Sequence, residues 1–444
     1  MTILNESGTP DVLPPLHAVG GLAERLADAL VVVVGTQAEA HLVQYLPAPP
    51  TQTVPPFRRD PRLVFAVLDP DDPPQQGLMA SRIVESAAGL RGTKLVLVVA
   101  GRSVGALGVD AEFEARLVAR KLDLPAEVVN LDAPHEIPGT LSTDLEDGVI
   151  AALVNLCPKR RTSDLLETAS AAKRGGGLLG GLLGRGREAP DSGDGRPVVL
   201  LGGTLSPGAV QGVAAELSRA GVEVAGAVPA ARVGDLPPLG EGTVVGVMDP
   251  NLTAAATAAE KRGATVVRTL MPVGVDGTAR FVQDVAEEAG SRTSEVVRAR
   301  SAWEDLGVLR NRIRGKRIFF AGDTGLEIPL ARFLADAGAV VLEVGAPRLD
   351  RRFLAAELQA LGPDVDVVIS PDYRGQANRI DEARPDVVIT SPGLHLPLVA
   401  RGHLCRSPRD FLEAGLYGYE GARRILELLV RTLERAATLD SLKL

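Results

Sequence analysis

One pattern constrains this chain above all others. A short apolar run ends in a glycine-bearing turn, and apolar residues at helical spacing follow, again and again along the sequence. The stretch from Gly315 to Pro347, GKRIFFAGDTGLEIPLARFLADAGAVVLEVGAP, carries the pattern in full. Arg317 to Ala321 has the length of a buried strand, and Gly322-Asp323-Thr324 makes the turn. From Leu326 the apolar residues recur through Leu330, Phe333 and Leu334 until Gly338 stops the helix. A second strand runs from Ala339 to Val344. Short connections and crossover handedness make the two strands parallel. Thr324 and Glu327 have capping-box spacing, while Pro329 removes one early helix hydrogen bond and blurs the start. Open α/β sheets bind ligands at such carboxyl-end turns, so Asp323 and Thr324 are candidate ligand-binding residues. The simpler role of Asp323 is turn formation and helix capping.

The same alternation fills the rest of the chain. At 444 residues, and roughly 150 residues per domain, there is room for about three domains. Hydrophobic residues make up 45% of the chain and aromatics only 3%, so the cores must be built of Val, Leu and Ala. Strands are predicted at Val31–Val34, Arg62–Leu68, Lys94–Val99 and Glu127–Leu131, with helices between them and a departing helix from Asp144 to Leu156. Further strands follow at Pro197–Leu201, Val222–Val228, Thr243–Met248 and Thr265–Leu270, then Asp366–Ser370 and Asp386–Thr390, before a closing helix from Gly421 to Ala437. The expected architecture is α/β: three Rossmann-like domains in series, each a parallel sheet flanked by helices, at 1–160, 197–290 and 291–444. Residues 1 to about 16 read as a loose arm. The glycine-rich segment within 161–196, AAKRGGGLLGGLLGRGREAP, reads as a flexible linker. It is no phosphate cradle, because it has no GxxxxGK[ST] and no buried strand leads into it.

Several function classes are disfavoured. Net charge is -8 with the basic residues dispersed, which argues against a nucleic-acid surface. The start has no basic region ahead of an apolar core, so no signal peptide is expected. Apolar runs such as Ala29 to Val34 fall far short of the roughly 20 residues that span a membrane. The expectation is a soluble, cytoplasmic protein. Cys157 and Cys405 form no CxxC pair and no disulfide framework. The five histidines share no HxxxH or HExxH spacing, and His403-x-Cys405 reads as a loop. No GxSxG elbow and no GxGxxG after a strand occurs. Spacing alone assigns no catalytic residue.

The serial order of motifs adds a resemblance. GDTGLEIPLARFLADAGAVVLEVGAP, RIDEARPDVVITSPGLHLPLVARGH and the closing GYEGARRILELLVRTLER follow one another as in the nitrogenase component 1 family. Within it they resemble the N-subunit family of dark-operative protochlorophyllide reductase. Upstream, EGTVVGVMDPNLTAAATAAEKRGATVVRTLMPVGVDG and VVVVGTQAEAHLVQ extend the likeness from about Gly20 to Glu434. The resemblance implies a heterotetramer with a B-type subunit, a separate P-loop ATPase reductase as electron source, and tetrapyrrole reduction in chlorophyll biosynthesis. It also implies a [4Fe-4S] cluster held by three cysteines of the N-type subunit and a fourth ligand from its partner. Carried over residue by residue, those three positions are Gly20, Glu39 and Gly101 or its neighbour Arg102, and none is cysteine. Thiolates hold such clusters, glycine has no side chain to offer, and a guanidinium has no lone pair to give. The chain by itself is therefore expected to bind no cluster. A tetrapyrrole ligand is expected near the turns at Gly35-Thr36, Gly101-Arg102 and Gly322-Asp323-Thr324, with Arg102 facing a propionate. The alternative is a non-catalytic, cluster-free tetrapyrrole-binding or scaffold protein of the same family.

Overall fold

The computed structural model describes residues 2–6, 8, 16, 19–45, 62–71, 76–87, 90, 92–131, 144–160, 195–202 and 207–441. The glycine-rich linker lies outside the described residues.

The first strand, β1 (Ile3–Asn5), belongs with strands far along the chain and is placed below. Next come β2 (Ala29–Thr36), β3 (Leu63–Leu68), β4 (Leu95–Ala100) and β5 (Ala126–Asn130), which form a parallel sheet in the order β3-β2-β4-β5. β2 and β4 are continuous Val/Leu runs because helices cover both faces of the sheet. Val31, Val33, Leu97 and Val99 point to the side of helix Asp144–Leu156, while Val32, Val34 and Val98 meet Met79, Ile83 and Val118 on the other. β6 (Lys159–Arg160) leaves this layer. A second parallel sheet holds β7 (Val198–Leu201), β8 (Val224–Val228), β10 (Val244–Val247) and β11 (Thr265–Val267) in the order β11-β10-β7-β8. The short β9 (Leu239–Gly240) pairs instead with β6.

The third sheet contains β12 (Arg317–Ala321), β13 (Val340–Ala346), β14 (Asp366–Ile369), β15 (Val387–Thr390) and β16 (Cys405–Arg406), in the order β1-β14-β13-β12-β15-β16. Its pairings are parallel throughout. Ile318 and Phe320 face Phe333 and Leu354; Phe319 and Ala321 face Ala377, Ile380 and Leu398. Helices therefore lie on both faces, and the winding changes direction between β12 and β15. In open α/β sheets that reversal marks the crevice where ligands bind.

Four readings of the sequence need correction. The expected loose arm contains β1, which adds to β14 as an edge strand; Glu6 fixes it by accepting from Arg379 (2.9 Å) and from the Asp372 amide (2.7 Å). Three residues are too few to show a strand pattern. Cys405 stands in β16, not in a loop, and His403 beside it is tied to Asp381 at 2.7 Å. Helices Val296–Asp305 and Gly307–Ile313 were not foreseen, because Val296, Val297 and Val308 are exposed and blur any apolar stripe. The closing helix is longer than expected, Gly418–Ser441. Its Ile425, Leu426 and Leu429 are fully buried, and it packs on helices Gly274–Glu288 and Pro207–Arg219 of the second layer. The stripe thus holds the chain's own layers together. No described helix is long and apolar enough to cross a membrane.

The second and third sheets are clamped by one buried ion pair. Arg332 Nε donates to Glu357 Oε2 at 2.6 Å, and its Nη2 donates to the Val273 carbonyl at 2.7 Å. The other Glu357 oxygen accepts the Met271 amide at 2.7 Å. The two side chains are 1% and 0% exposed.

Candidate functional site

β2 and β4 are neighbours, with Val34 opposite Ala100, so the turns that leave them stand side by side. One runs through Thr36 into helix Gln37–Tyr45; the other runs through Gly101 and Arg102 into the short helix Ser103–Ala106. The Glu39 carboxylate lies between them. Its Oε2 accepts from the Thr36 amide (2.8 Å), the Thr36 hydroxyl (3.3 Å) and the Ser103 hydroxyl, and its Oε1 accepts from the Ser103 amide (3.3 Å). Two backbone donors at helix starts and two hydroxyls thus converge on one carboxylate. Glycine makes the room. A Cβ at Gly101 would lie 2.5 Å from Glu39 Oε1, and one at Gly35 would also meet the carboxylate.

Three residues singled out from the sequence, Thr36, Glu39 and Gly101, are therefore brought together, and Arg102 follows on the same turn, exposed. Gly20 sits in helix Val19–Arg25, where a Cβ would meet no heavy atom within 4 Å. These residues do not fit a [4Fe-4S] cluster. They present a glycine, a second glycine packed against a carboxylate, and a carboxylate already engaged by four donors, where thiolates are needed. The two cysteines do not supply them. Cys157 follows helix Asp144–Leu156 and burial pushes its thiol up to about 11; burial pushes Cys405 up to about 12. Among the described residues no group of three or more His, Cys, Asp or Glu is placed to hold a metal ion.

The packing at Gly101 makes a testable prediction. Gly101→Ala should destabilise the chain by about 1–3 kcal/mol, as overpacking does. In a Glu39→Ala background the same change should cost far less, because the clashing carboxylate is gone. A double-mutant cycle in urea measures the coupling, about 1 kcal/mol or more; additive costs would show that the two residues do not meet.

The turn after β12 repeats the device. Thr324 donates to Glu327 Oε1 from its amide (2.9 Å) and its hydroxyl (2.8 Å), and Gly322 stands where Gly35 stood, leaving space for the carboxyl. The difference is burial. Glu327 is 1% exposed and its Oε2 has no partner among the described residues. Burial, helped by the charge of Asp323, pushes this carboxyl up to about 7. Asp323 is half-buried and Thr324 buried, on a different sheet from Thr36 and Arg102.

Residues that the sequence did not single out complete this region. Asn251 donates from its side chain to the Thr324 carbonyl (2.9 Å) and to Asp249 (2.8 Å). Asp249 is pushed up to about 7, by burial first and then by Glu146 and Asp147. Asp147 caps helix Thr253–Lys261 through the amides of Ala254 and Ala255, both at 2.9 Å. Asp144, in the same turn, pairs with Arg348 at 2.9 Å. The Asp-Pro-Asn turn is legible in sequence, but its partner Thr324, in the turn after β12, is not.

A groove of about 870 Å³ opens elsewhere, beside helices Gly274–Glu288 and Val296–Asp305, with Trp303, Asp276, Arg280, Arg300, Arg310 and Asp336 in its lining. Trp303 Nε1 donates to Asp276 (3.1 Å), Phe333 stacks on the indole at 5.9 Å, and the Arg310 guanidinium lies 4.4 Å from the ring centre. None of the sequence-predicted site residues lines it.

Residues 77–434 match the family described as nitrogenase component 1 type oxidoreductase. The light-independent protochlorophyllide reductase subunit N of Roseiflexus sp. (strain RS-1) is 33% identical over 442 residues, covering 99% of this chain and 96% of the relative. The protein of the same name from Heliobacterium modesticaldum is 31% identical over 444 residues, covering 99% and 97%. Among solved structures, a nitrogenase Cp1 determined at pH 6.5 superposes with a TM-score of 0.68 over 98% of this chain and 94% of its own, at 13% identity. That last likeness is one of fold.

Proposed function

This chain belongs to the nitrogenase component 1 type oxidoreductases, and we propose that within that family it serves as an N-type subunit that carries no cluster of its own. It pairs with a B-type, cysteine-bearing subunit that holds the cluster. A P-loop ATPase reductase supplies the electrons, and the complex reduces a tetrapyrrole in chlorophyll or bacteriochlorophyll synthesis. The likeness to protochlorophyllide reductase N subunits over nearly the whole chain supports the substrate class. The observation that carries the cluster-free part is the Glu39 carboxylate, held by Thr36 and Ser103 against Gly35 and Gly101 at the turns where that family resemblance puts thiolates.

In this reading the chain contributes a binding surface at the carboxyl ends of its sheets. Arg102 is exposed at one such end, beside Thr36, and suits a propionate, while Asp323 and Thr324 stand at the corresponding turn of the third sheet. The second reading, a non-catalytic tetrapyrrole-binding or scaffold protein, draws on the same closed nest together with the two thiols held above the ordinary range.

Co-expression with a cysteine-bearing B-type subunit separates the two. The complex subunit should elute with its partner on size exclusion and shift the absorption of added protochlorophyllide, with Arg102→Ala weakening pigment binding by about tenfold, as the loss of one charge-assisted contact does. With the ATPase reductase, ATP and reductant added, the pigment should be consumed. A complex that binds pigment and never reduces it supports the scaffold. Elution as a lone chain with no change in the pigment spectrum sinks both.

A further inference from the structure

Helix Val296–Asp305 leads from the second layer towards the third, yet none of its residues is buried. Val296 and Val297 are 60% and 77% exposed, and Val308 on the next helix is 75% exposed. A helix this short takes most of its stability from packing. Here side-chain ties replace much of it: Arg298 donates to Glu216 at 2.7 Å, and Trp303 Nε1 donates to Asp276 at 3.1 Å. Between this helix and Gly274–Glu288 the groove of about 870 Å³ stays open, within the size range of clefts that hold small organic ligands. Leu270, Ala279, Ala299 and Trp303 give it an apolar lining.

The formal charges around that lining nearly cancel, but they are unevenly engaged. Three of the four acids already take a donor from the protein: Asp276 from Trp303 (3.1 Å), Glu295 from the Tyr419 hydroxyl (3.0 Å) and Asp336 from Arg332 (3.1 Å). The fourth, Glu304, is exposed and has no partner among the described residues. The arginines are freer. Arg280 commits its Nε to Asp284 at 2.8 Å. Arg310 makes no ion pair among the described residues; it lies 4.4 Å from the Trp303 ring centre and donates only to the Asp336 carbonyl, at 3.4 Å. Arg300 has neither a hydrogen-bond nor an ion-pair partner among the described residues. Two guanidinium groups without a carboxylate thus stand against one acid without a cation. Trp303, itself stacked on Phe333 at 5.9 Å, holds Arg310 in place. A guanidinium fork fixed in this way loses little freedom on taking a carboxylate.

We propose that this groove is a binding site for an amphipathic organic anion. Arg300 and Arg310 take its acid group, and its apolar body lies against Leu270, Ala279 and Trp303. Asp336 in the wall is also a partner of Arg332, so the ligand lies beside the clamp between the second and third sheets. The site is separate from the turns at Glu39 and Thr324, none of whose residues lines the groove, and it does not depend on the role proposed above for the chain.

Trp303 is the single tryptophan of the chain, so its fluorescence reads this groove directly. 4-Phenylbutanoate, which is transparent where indole is excited, should change that emission saturably. 4-Phenylbutanamide, the same body without the charge, should bind about tenfold more weakly. The anion should also raise the urea midpoint of the full chain, as a ligand selective for the folded state does. Arg300 is exposed and has no partner to lose, so Arg300→Ala leaves the fold intact; it should weaken the anion about tenfold and leave the amide unchanged. Arg116→Ala, which removes a charge from helix Ala111–Leu122 beside the first sheet, should change neither. Equal binding of anion and amide would overturn the site, and so would an anion affinity that Arg300→Ala leaves at the wild-type value. An emission that the anion never changes saturably would overturn it as well.

Discussion

Glu357→Ala should lower the unfolding free energy by about 3–5 kcal/mol, the cost of stripping one partner from a buried ion pair. Arg332 would keep Asp336 at 3.1 Å and the Val273 carbonyl, but would lose the carboxylate at 2.6 Å that offsets its desolvation. Met271 would also lose the acceptor of its amide, a buried donor left without a partner. Arg332→Ala should cost a similar amount. The combined change Arg332→Met, Glu357→Leu should cost much less than either, because no lone charge remains and the volume is filled. Urea unfolding of the four proteins reads these differences directly. Single substitutions that cost under about 1 kcal/mol, within the range of surface pairs, would mean that the clamp does not join the second and third sheets.

The second large effect is on pH dependence. Asp249 and Glu327 have ordinary values near 3.8 and 4.5 and are pushed up to about 7 in the folded chain. An acid that binds its proton more tightly when folded adds stability fully only below its unfolded pKa. That stability is lost as pH rises through the window between the two values. The chain should therefore become less stable from about pH 4 to about pH 7, each group contributing on the order of 3 kcal/mol across the window. Asp336, pushed up to about 6 by burial, adds to the same trend. Glu327→Gln cannot ionise and should flatten the profile, gaining on the wild type as pH rises from 5 to 7.5. Denaturation midpoints that run parallel in wild type and variant over that range would refute the assignment.

How far the sequence reached can be seen residue by residue. Val31 to Val34 and Leu95 to Val99 are legible as strands because both faces are buried and every position is apolar. Thr324 and Glu327 are legible as a pair because three residues separate them and the contact is local. Glu39 and Ser103 are 64 residues apart, and Asn251 and Thr324 are 73 apart. Sheet order brings the first pair together and the packing of the second sheet against the third brings the other, so no spacing rule could reveal them. Gly35, Gly101 and Gly322 read as turn residues in the sequence. Their second role is a tertiary fact: Gly35 and Gly322 leave room for a carboxyl group from the following helix, and Gly101 for the Glu39 carboxylate of the neighbouring turn. Helices Val296–Asp305 and Gly307–Ile313 are not legible for the opposite reason: their valines face outward, and the periodicity that marks a buried helix is missing.

We propose that the turns to which the family resemblance assigns cluster ligands are filled in this chain by its own carboxylate. Glu39 and its four donors leave no thiolate and no vacant coordination there, and Cys157 and Cys405 belong to other elements. The most direct measurement is iron and acid-labile sulfide on the purified chain after anaerobic reconstitution with ferrous iron and sulfide. The structure predicts no stoichiometric iron and no broad visible absorption that bleaches on oxidation. About four irons and four sulfides per cluster, bound by this chain without a partner, would contradict it.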